Sequence, residues 1–225
     1  MLRERAETAD LPLVLVSRSE GAEQAAQAAG ATDWLVAPFT EQYARTRLRA
    51  WLLRTRARWM RAPRAENEDS RLRALHDLQV LDTKPEERFD HITRLAARVF
   101  DVPYAVLTLV DRDRQWFKSR YGFDAAETSR DQSFCAHAIL RDESFVVPDA
   151  LEDDRFADNP AVTGEPHVRF YAGHPIAAPD GSLVGTLCVF DQRPRELNDA
   201  QRQTLRDLAG LAQRELCQRD RRRPR

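Results

Sequence analysis

A cysteine and a histidine two residues apart are the side chains best placed for chemistry. Cys135 and His137 stand in the segment SFCAHAI, which we expect to form a short helix over residues 133–140. A thiol reacts as its thiolate, and a helix start or a nearby cation lowers its pKa. Arg130 and His137 lie near enough in sequence to supply that cation. The alternative, and the simpler interpretation, is that Cys135 is a small packing residue beside a hydrogen-bonded histidine.

Metal chemistry has little support in the residue spacing. His137, His167 and His174 could each bind haem or iron, but no two have the spacing that places ligands on one helix face. The acidic stretch 149–158 lacks the alternating ligands and the glycine of a calcium loop. The three cysteines are widely spaced and form no Cys-x-x-Cys pair, so we expect neither zinc nor a disulfide framework (Cys135, Cys188 and Cys217). We therefore predict no metal site.

Polar aromatic residues indicate a small-molecule pocket. In the predicted strand 168–177, alternation places Arg169 and Tyr171 on one face and Phe170 and His174 on the other. Either face could line an apolar cleft in which a tyrosine or histidine supplies the polar contact. The alternative is a strand that only builds the core. The candidate ligand-binding residues are Trp116, Phe134, Cys135, His137, Asp149, Arg169, Tyr171 and His174.

Nucleic acid is not an expected partner. Arg114, Trp116 and Lys118 form an aromatic and basic hairpin, and residues 42–64 carry eight Arg and no acid. However, residues 65–218 carry 19 basic and 28 acidic side chains, a net charge of −9 that repels a phosphate backbone. We interpret the hairpin as a sheet edge with one buried face, and the basic run as the solvated surface of a connecting helix.

Hydrophobic periodicity predicts the elements that position these residues. Leucines share one face of a helix at 71–80, and Thr83 and Glu86 have the spacing of a capping box that starts a second helix. A final helix runs from another capping box, at Asn198, to Cys217. We expect residues 149–164 to be irregular and their acidic part, 149–158, to form a solvated lid over the pocket. Apolar runs predict strands over 104–110, 115–121, 144–148, 168–177 and 183–191. Hairpin-linked strands with helices towards the chain ends predict an α+β fold with a largely antiparallel sheet.

The first 60 residues follow a different pattern. The order is strand, helix, strand and a long basic helix, with the strands at 11–17 and 33–36 and the first helix at 21–29. LPLVLVS and AAGATDWLVAPF resemble the C-terminal half of a bacterial response-regulator receiver domain, with Ser17 and Trp34 at its switch positions. The family's lysine is Ala37 here, and the half with the phosphoacceptor aspartate is missing. We therefore expect a degenerate docking or dimerisation segment, followed by a linker at 61–69 and, after residue 218, a basic tail.

Five motifs within residues 70–218 resemble a GAF domain of the bacterial sensor subgroup. They are LDTxPEERFDxITRLAA, SFCAHAI, VVPDALEDxRFADNPxV, VRFYAGHPI and PDGxLxGTLCVFDxxPR, in the order of the family. The resemblance implies a sheet with a ligand pocket on one face and dimer-forming helices on the other, but it names no ligand. It also aligns Cys135 with a cysteine of the free methionine-(R)-sulfoxide reductases. Their partner cysteine, and the Cys-His pair that attaches bilin in phytochromes, would lie within 150–167, where this chain has no Cys.

Three hypotheses follow. The first is a non-catalytic sensor of bacterial signal transduction that works as a homodimer through helices at 40–60, 70–80 and 198–217, with a histidine kinase or diguanylate cyclase on another chain as output. The second is a redox enzyme or sensor that uses Cys135 but lacks a partner thiol. The third is a ligand-free scaffold whose pocket is filled by Trp116, Phe134 and Tyr171. The longest apolar run is six residues, against about 20 for a membrane span, and no secretory signal is evident, so we expect a cytoplasmic protein.

Overall fold

The computed structural model describes residues 14–18, 31, 33–38 and 60–218, and the chain divides into two compact units, Met1–Trp59 and Met60–Arg225. In the first unit, strand β1 (Val14–Ser17) pairs in parallel with strand β2 (Asp33–Val36). These are the two strands predicted from sequence. The helices predicted at 21–29 and 40–60 and the tail after residue 218 lie outside the described residues. The receiver-like character of residues 1–60 therefore stays a prediction.

The second unit is built on a six-stranded antiparallel sheet. The strand order is β5-β4-β3-β8-β7-β6, so β3 and β8, which are buried at every residue except the first, lie in the middle. The α+β fold and the antiparallel sheet are thus confirmed. The strands are β3 (Tyr104–Val110), β4 (Arg114–Tyr121), β5 (Glu127–Ser129), β6 (Phe145–Val147), β7 (Phe170–Ala177) and β8 (Leu183–Asp191).

Five α-helices and one 3₁₀-helix (Arg130–Gln132) accompany this sheet in the described part of the unit; the α-helices fall into two groups. The three long ones, α1 (Glu68–Asp77), α2 (Glu87–Phe100) and α5 (Asp199–Cys217), pack on one face, and the two short ones, α3 (Phe134–Ala138) and α4 (Pro160–Thr163), lie on the other. The predicted capping box at the start of α5 is present, because the Asn198 side chain accepts from the backbone of Gln201 and the Gln201 side chain accepts in return. The sheet therefore separates two hydrophobic cores.

The start of α2 differs from the prediction. The helix begins at Glu87, and Thr83 does not cap it, because the Thr83 hydroxyl donates to the Val80 carbonyl at 2.6 Å. The ammonium of Lys118 donates to the same Thr83 hydroxyl at 2.7 Å and lies 2.6 Å from the Glu86 carboxylate. Lys118 is the extra residue at a β-bulge in β4. Its buried ammonium binds Thr83 and Glu86, the two residues that were predicted to form the capping box.

A buried ion network fixes α1 to the sheet. The guanidinium of Arg71, which is 1% exposed, donates to the Val110 carbonyl at 2.6 Å and to the Glu68 carboxylate at 2.8 and 3.0 Å. Arg130 also donates to Glu68. Burial raises the pKa of the Glu68 carboxyl, but the bonds from the two guanidinium groups outweigh it and lower that pKa to about 2. Glu68 therefore stays ionised and holds two buried cations.

Candidate functional site

A cavity of about 170 Å³ opens on the sheet face opposite the long helices. Its walls are mainly aromatic and aliphatic, with an amide group at Gln115 and Gln132 and one charged side chain, Glu165. The floor is formed by Cys135 on α3, Tyr171 on β7 and Cys188 on β8. The remaining lining residues are Val106, Phe117, Phe123, Thr128, Phe134, Pro160, Ala161, Pro166, Val168 and Phe190. The cavity thus offers an apolar enclosure with a polar floor.

The floor brings together two thiols and a phenol. The sulfur atoms of Cys135 and Cys188 are 3.7 Å apart, and the hydroxyl of Tyr171 donates to the Cys135 sulfur at 3.3 Å. All three side chains are buried. Beneath them, Thr108 and Thr186 lie opposite each other on the two central strands, and both buried hydroxyls help to lower the pKa of the Cys135 thiol. Neither hydroxyl has another hydrogen-bond partner among the described residues. Because a buried polar atom without a partner is costly, we expect both hydroxyls to donate to the sulfur pair.

Local sequence explains why Cys135 and Tyr171 meet. Ser133 caps the short helix α3 by accepting from the Ala136 backbone at 3.0 Å, which directs Cys135 towards the sheet. On β7, the tyrosine ring lies across Gly173, because a Cβ atom at Gly173 would come within 2.3 Å of the Tyr171 hydroxyl oxygen. Gly173 pairs with Cys188 in the sheet. The glycine therefore leaves the space through which the hydroxyl reaches the two sulfurs.

The pKa values of the two thiols on the cavity floor shift in opposite directions. Burial raises the pKa of the Cys135 thiol, but hydrogen bonds to its sulfur, that from Cys188 first, outweigh burial and bring the pKa to about 6. Burial and the neighbouring sulfur raise the pKa of Cys188 well above its ordinary value. Burial and the same sulfur charge also raise the pKa of Tyr171. The lowered pKa favours the thiolate at Cys135, whereas the raised pKa values of Cys188 and Tyr171 keep these two groups protonated.

The segment 149–164 closes one side of the cavity and is less solvated than predicted. Phe156 is fully buried and stacks on Phe134 with ring centroids 4.0 Å apart. Asn159 is 1% exposed, caps α4 by accepting from the Ala161 backbone, and donates to the Gln132 carbonyl at 3.1 Å. The prediction of a solvated lid over 149–158 is therefore wrong for Phe156, because aromatic stacking holds that residue in a packed wall, and the buried cap at Asn159 continues the wall.

Sequence comparison gives the family of the unit that contains this cavity. The model of the GAF domain matches residues 84–216, which is more than half of the chain. The chain belongs to the GAF family. A GAF domain is a small-molecule-binding signalling module. A cyclic di-GMP phosphodiesterase of Pseudomonas aeruginosa is 44% identical over 133 residues, which is 59% of this chain and 23% of that protein. The chain thus aligns with less than a quarter of this relative.

Two solved structures are similar to this chain at low sequence identity. The GAF domain of an Acinetobacter phosphoenolpyruvate-protein phosphotransferase is 16% identical, with a TM-score of 0.48 over 65% of this chain and 92% of that one. A free methionine-R-sulfoxide reductase of Neisseria meningitidis, solved with its substrate, is 15% identical, with a TM-score of 0.48 over 64% of this chain and 85% of that one. Similarity at this level assigns no ligand to the GAF domain described here.

Three of the eight candidate residues line the GAF cavity: Phe134, Cys135 and Tyr171. Trp116 does not. It lies in the core beneath the long helices, so the expectation that it lines or fills the pocket is wrong. Alternation along β4 fixes only that Trp116 and Phe117 point to opposite faces, and Phe117 is the one that reaches the cavity.

Asp149, Arg169 and His174 also lie away from the cavity lining. Arg169 forms a two-point ion pair with Asp149, at 2.7 and 2.5 Å, and this bond lowers the pKa of the Asp149 carboxyl. His174 accepts from or donates to the Ser144 hydroxyl at 2.9 Å, and burial lowers its pKa. These side chains position β6, β7 and the loop between them, so binding by them stays a prediction that the cavity geometry does not support.

His137 connects the GAF cavity to the incoming chain. Its Nε2 atom is 2.9 Å from the Met60 carbonyl, which can only accept, so Nε2 carries the proton. Burial lowers the pKa of His137 and favours the neutral ring. The Met60 amide donates in turn to the Arg155 carbonyl at 2.9 Å. His137 therefore does not line the cavity; it ties the helix that carries Cys135 to the segment that enters the domain.

The residue that sequence reasoning missed is Cys188. The resemblance places a partner thiol within 150–167, whereas the structure places Cys188, 53 residues from Cys135 in the chain, in contact with it. A cysteine in the middle of an otherwise apolar strand, GTLCVFD, is the signal in the sequence that points to Cys188.

Within residues 60–218 and the described parts of the first unit, no group of three or more His, Cys, Asp or Glu side chains is placed to hold a metal ion. No helix of those residues is long and apolar enough to cross a membrane.

Proposed function

We propose that the GAF domain senses a small, neutral molecule bound in its cavity. The observation that carries this proposal is the enclosure itself, about 170 Å³ with aromatic walls and a floor of Cys135, Tyr171 and Cys188. Its size is on the order of the ~150 Å³ engineered cavity that binds benzene, and below the ~300–1,000 Å³ typical of sites for drug-sized ligands. A compact ring with one hydroxyl group would fill it, with the hydroxyl facing Tyr171.

The charge of the lining argues against nucleotides as ligands. Glu165 is the one charged side chain along the described cavity wall, and neither Arg nor Lys contributes to it. Phosphate groups are recognised by Arg, Lys or clustered backbone amides. The cavity is also small for a nucleotide. We therefore infer that cyclic di-GMP is not what this domain binds.

We infer that the domain instead controls the turnover of a second messenger. The support is the relative named as a cyclic di-GMP phosphodiesterase, whose matched 133 residues are 44% identical to this chain. In this scheme the bound molecule favours one arrangement of the GAF helices over another, and an output enzyme responds to that arrangement. A change at α3 would reach the incoming segment through the bond between His137 and Met60.

We also propose that the chain forms a homodimer through an exposed apolar surface on α2 and α5. Three apolar side chains on the packed helices α2 and α5 stay 38%, 51% and 42% exposed: Leu95, Val99 and Leu211. Burying such a patch against a second copy would remove it from water. Sedimentation of the chain and of Leu211→Glu tests this part, since the substitution should shift a dimer to a monomer. An unchanged dimer would place the interface elsewhere.

Native mass spectrometry of the purified chain, followed by calorimetric titration, tests the proposed ligand class. The probes are phenol, benzoate and cyclic di-GMP. We expect phenol to bind, benzoate to bind more weakly because its carboxylate is desolvated without a cation, and cyclic di-GMP not to bind. Ala161→Leu, which fills the cavity, should abolish phenol binding, and Ala200→Leu, on an exposed part of α5, should not. Equal binding of phenol to both variants would contradict the proposal.

A further inference from the structure

Two buried thiols on the cavity floor are not needed for binding an inert ligand. The Cys135 and Cys188 sulfurs are 3.7 Å apart, and both line the cavity while being 3% and 1% exposed. A disulfide requires a separation of about 2.05 Å, so the sulfurs would have to approach by about 1.7 Å. Cys217 lies on α5, and its sulfur contacts the Ala177 carbonyl at 3.5 Å. Cys217 therefore has a different environment from that of Cys135 and Cys188.

We propose that Cys135 and Cys188 are a reversible redox switch, which a small hydroperoxide entering the cavity converts to an intramolecular disulfide. This goes beyond the proposed sensing of a neutral ligand, and it does not require that ligand to exist. The oxidant must be small and neutral, because the cavity is about 170 Å³ and its walls are mainly apolar. Hydrogen peroxide meets both conditions.

The reaction proceeds in two balanced steps. The Cys135 thiolate attacks one oxygen of the hydroperoxide, an S–O bond forms, the O–O bond breaks, and the alkoxide or hydroxide that leaves takes up the proton that Cys135 released on ionisation, giving the alcohol or water. The Cys188 sulfur then attacks the sulfenic acid of Cys135, an S–S bond forms, the S–O bond breaks, and water leaves with the Cys188 proton. Each sulfur is oxidised by one electron and the peroxide is reduced by two. A cellular dithiol reverses the switch and becomes a disulfide itself.

The groups around Cys135 suit the first step. A thiolate is the attacking species, and the Tyr171 hydroxyl already donates to the Cys135 sulfur at 3.3 Å. Thr108 and Thr186 add two buried hydroxyls that have no other partner among the described residues. These groups stabilise a sulfur anion without an Arg or Lys, and they leave Cys188 protonated until the second step.

We expect formation of the disulfide to affect the chain outside the cavity. Closing the sulfurs would draw α3 towards β8, and α3 also carries His137, whose ring donates to the Met60 carbonyl at 2.9 Å. Oxidation should therefore disturb the segment 60–67 as well as the cavity. Amide hydrogen exchange in that segment is a readout that simple damage to Cys135 without disulfide formation would not reproduce.

Peptide mapping of the reduced chain, treated with hydrogen peroxide at pH 7 in the presence of dimedone, tests the proposal. Dimedone traps sulfenic acids. In the unmodified sequence we expect a 135–188 cross-link, a loss of two hydrogens in mass and little dimedone adduct. In Cys188→Ala, the second step is blocked, so dimedone should accumulate on Cys135. Cys135→Ala should give neither product, and Cys217→Ala should behave as the unmodified sequence.

Two results would overturn the proposal. One is an unmodified chain in which Cys135 is untouched while Cys217 is oxidised or links two chains. The other is a Cys188→Ala variant that traps no sulfenic acid at Cys135. Because mapping of the unmodified sequence and of Cys217→Ala does not depend on cavity variants, the proposal stays testable if Cys135→Ala fails to fold. Binding of phenol to the reduced chain is measured separately, so failure of the switch and failure of the ligand site are distinguishable.

Discussion

Replacing Tyr171 with Phe isolates one hydrogen bond on the cavity floor. The substitution removes the hydroxyl that donates to the Cys135 sulfur at 3.3 Å and leaves the ring that stacks on Phe134. A hydrogen bond to a charged group contributes about 1.5–3 kcal/mol, and one pKa unit corresponds to about 1.36 kcal/mol. The pKa of Cys135, about 6 in the intact site, should therefore rise by about 1–2 units.

The assay is the rate at which iodoacetamide alkylates Cys135, followed by mass spectrometry from pH 5 to 10. Because only the thiolate reacts, the midpoint of the rate profile should move upward by that amount, and the rate at pH 7 should fall about 2–10-fold. Tyr121→Phe is the matched control, since Tyr121 is exposed and lies outside the cavity lining. A midpoint that is the same in the Tyr171→Phe variant, or one above 9 in the unmodified chain, would refute the role given to this hydroxyl.

Three further predictions concern stability. Glu68→Gln should lower the free energy of unfolding by about 3–5 kcal/mol in urea titrations, because it leaves two buried guanidinium groups without their carboxylate. Glu66→Gln, at an exposed position, is the control, and an equal loss of stability in both variants would contradict the prediction. Asn159→Ala should cost about 2 kcal/mol, since it removes a helix cap and a buried hydrogen bond; a loss below about 0.5 kcal/mol would show that the wall does not depend on Asn159. In the folded state the pKa values of His137 and His174 are lowered, so the unfolded chain binds protons at a higher pH than the folded chain. The free energy of unfolding should therefore fall as the pH drops below about 6.5. His137→Gln should reduce this pH dependence in part, and an unchanged slope of unfolding free energy against pH would contradict the prediction.

Much of the fold could be predicted because local patterns and the final contacts agree. The apolar runs gave β3 and β8 with the bounds that the structure has, and the capping box at Asn198 starts α5 as expected. Thr83 also has the spacing of a capping box, yet a lysine from a bulged strand occupies its hydroxyl. Spacing along the chain contains no information about a side chain that arrives from 35 residues away.

The candidate site was only partly predictable for a similar reason. Alternation shows that neighbouring residues of a strand point to opposite faces, but it does not show which face bears the cavity. It therefore does not distinguish Trp116, which lies in the other core, from Phe117, which lines the cavity. The partner of Cys135 depends on the strand order, which brings β8 into the centre of the sheet beneath α3. Contacts set by strand order are long-range, and a single sequence does not specify them.

The central claim, that the cavity accepts a small neutral molecule, is tested most directly by a crystal structure of the reduced chain grown or soaked with phenol. The account predicts one phenol ring between Phe117 and Phe134, with its hydroxyl within hydrogen-bonding distance of the Tyr171 oxygen and both cysteines reduced. A cavity without phenol, in crystals whose packing leaves its opening free, would contradict the claim. So would a cavity closed by its own side chains, because the ligand-free scaffold would then be the correct description.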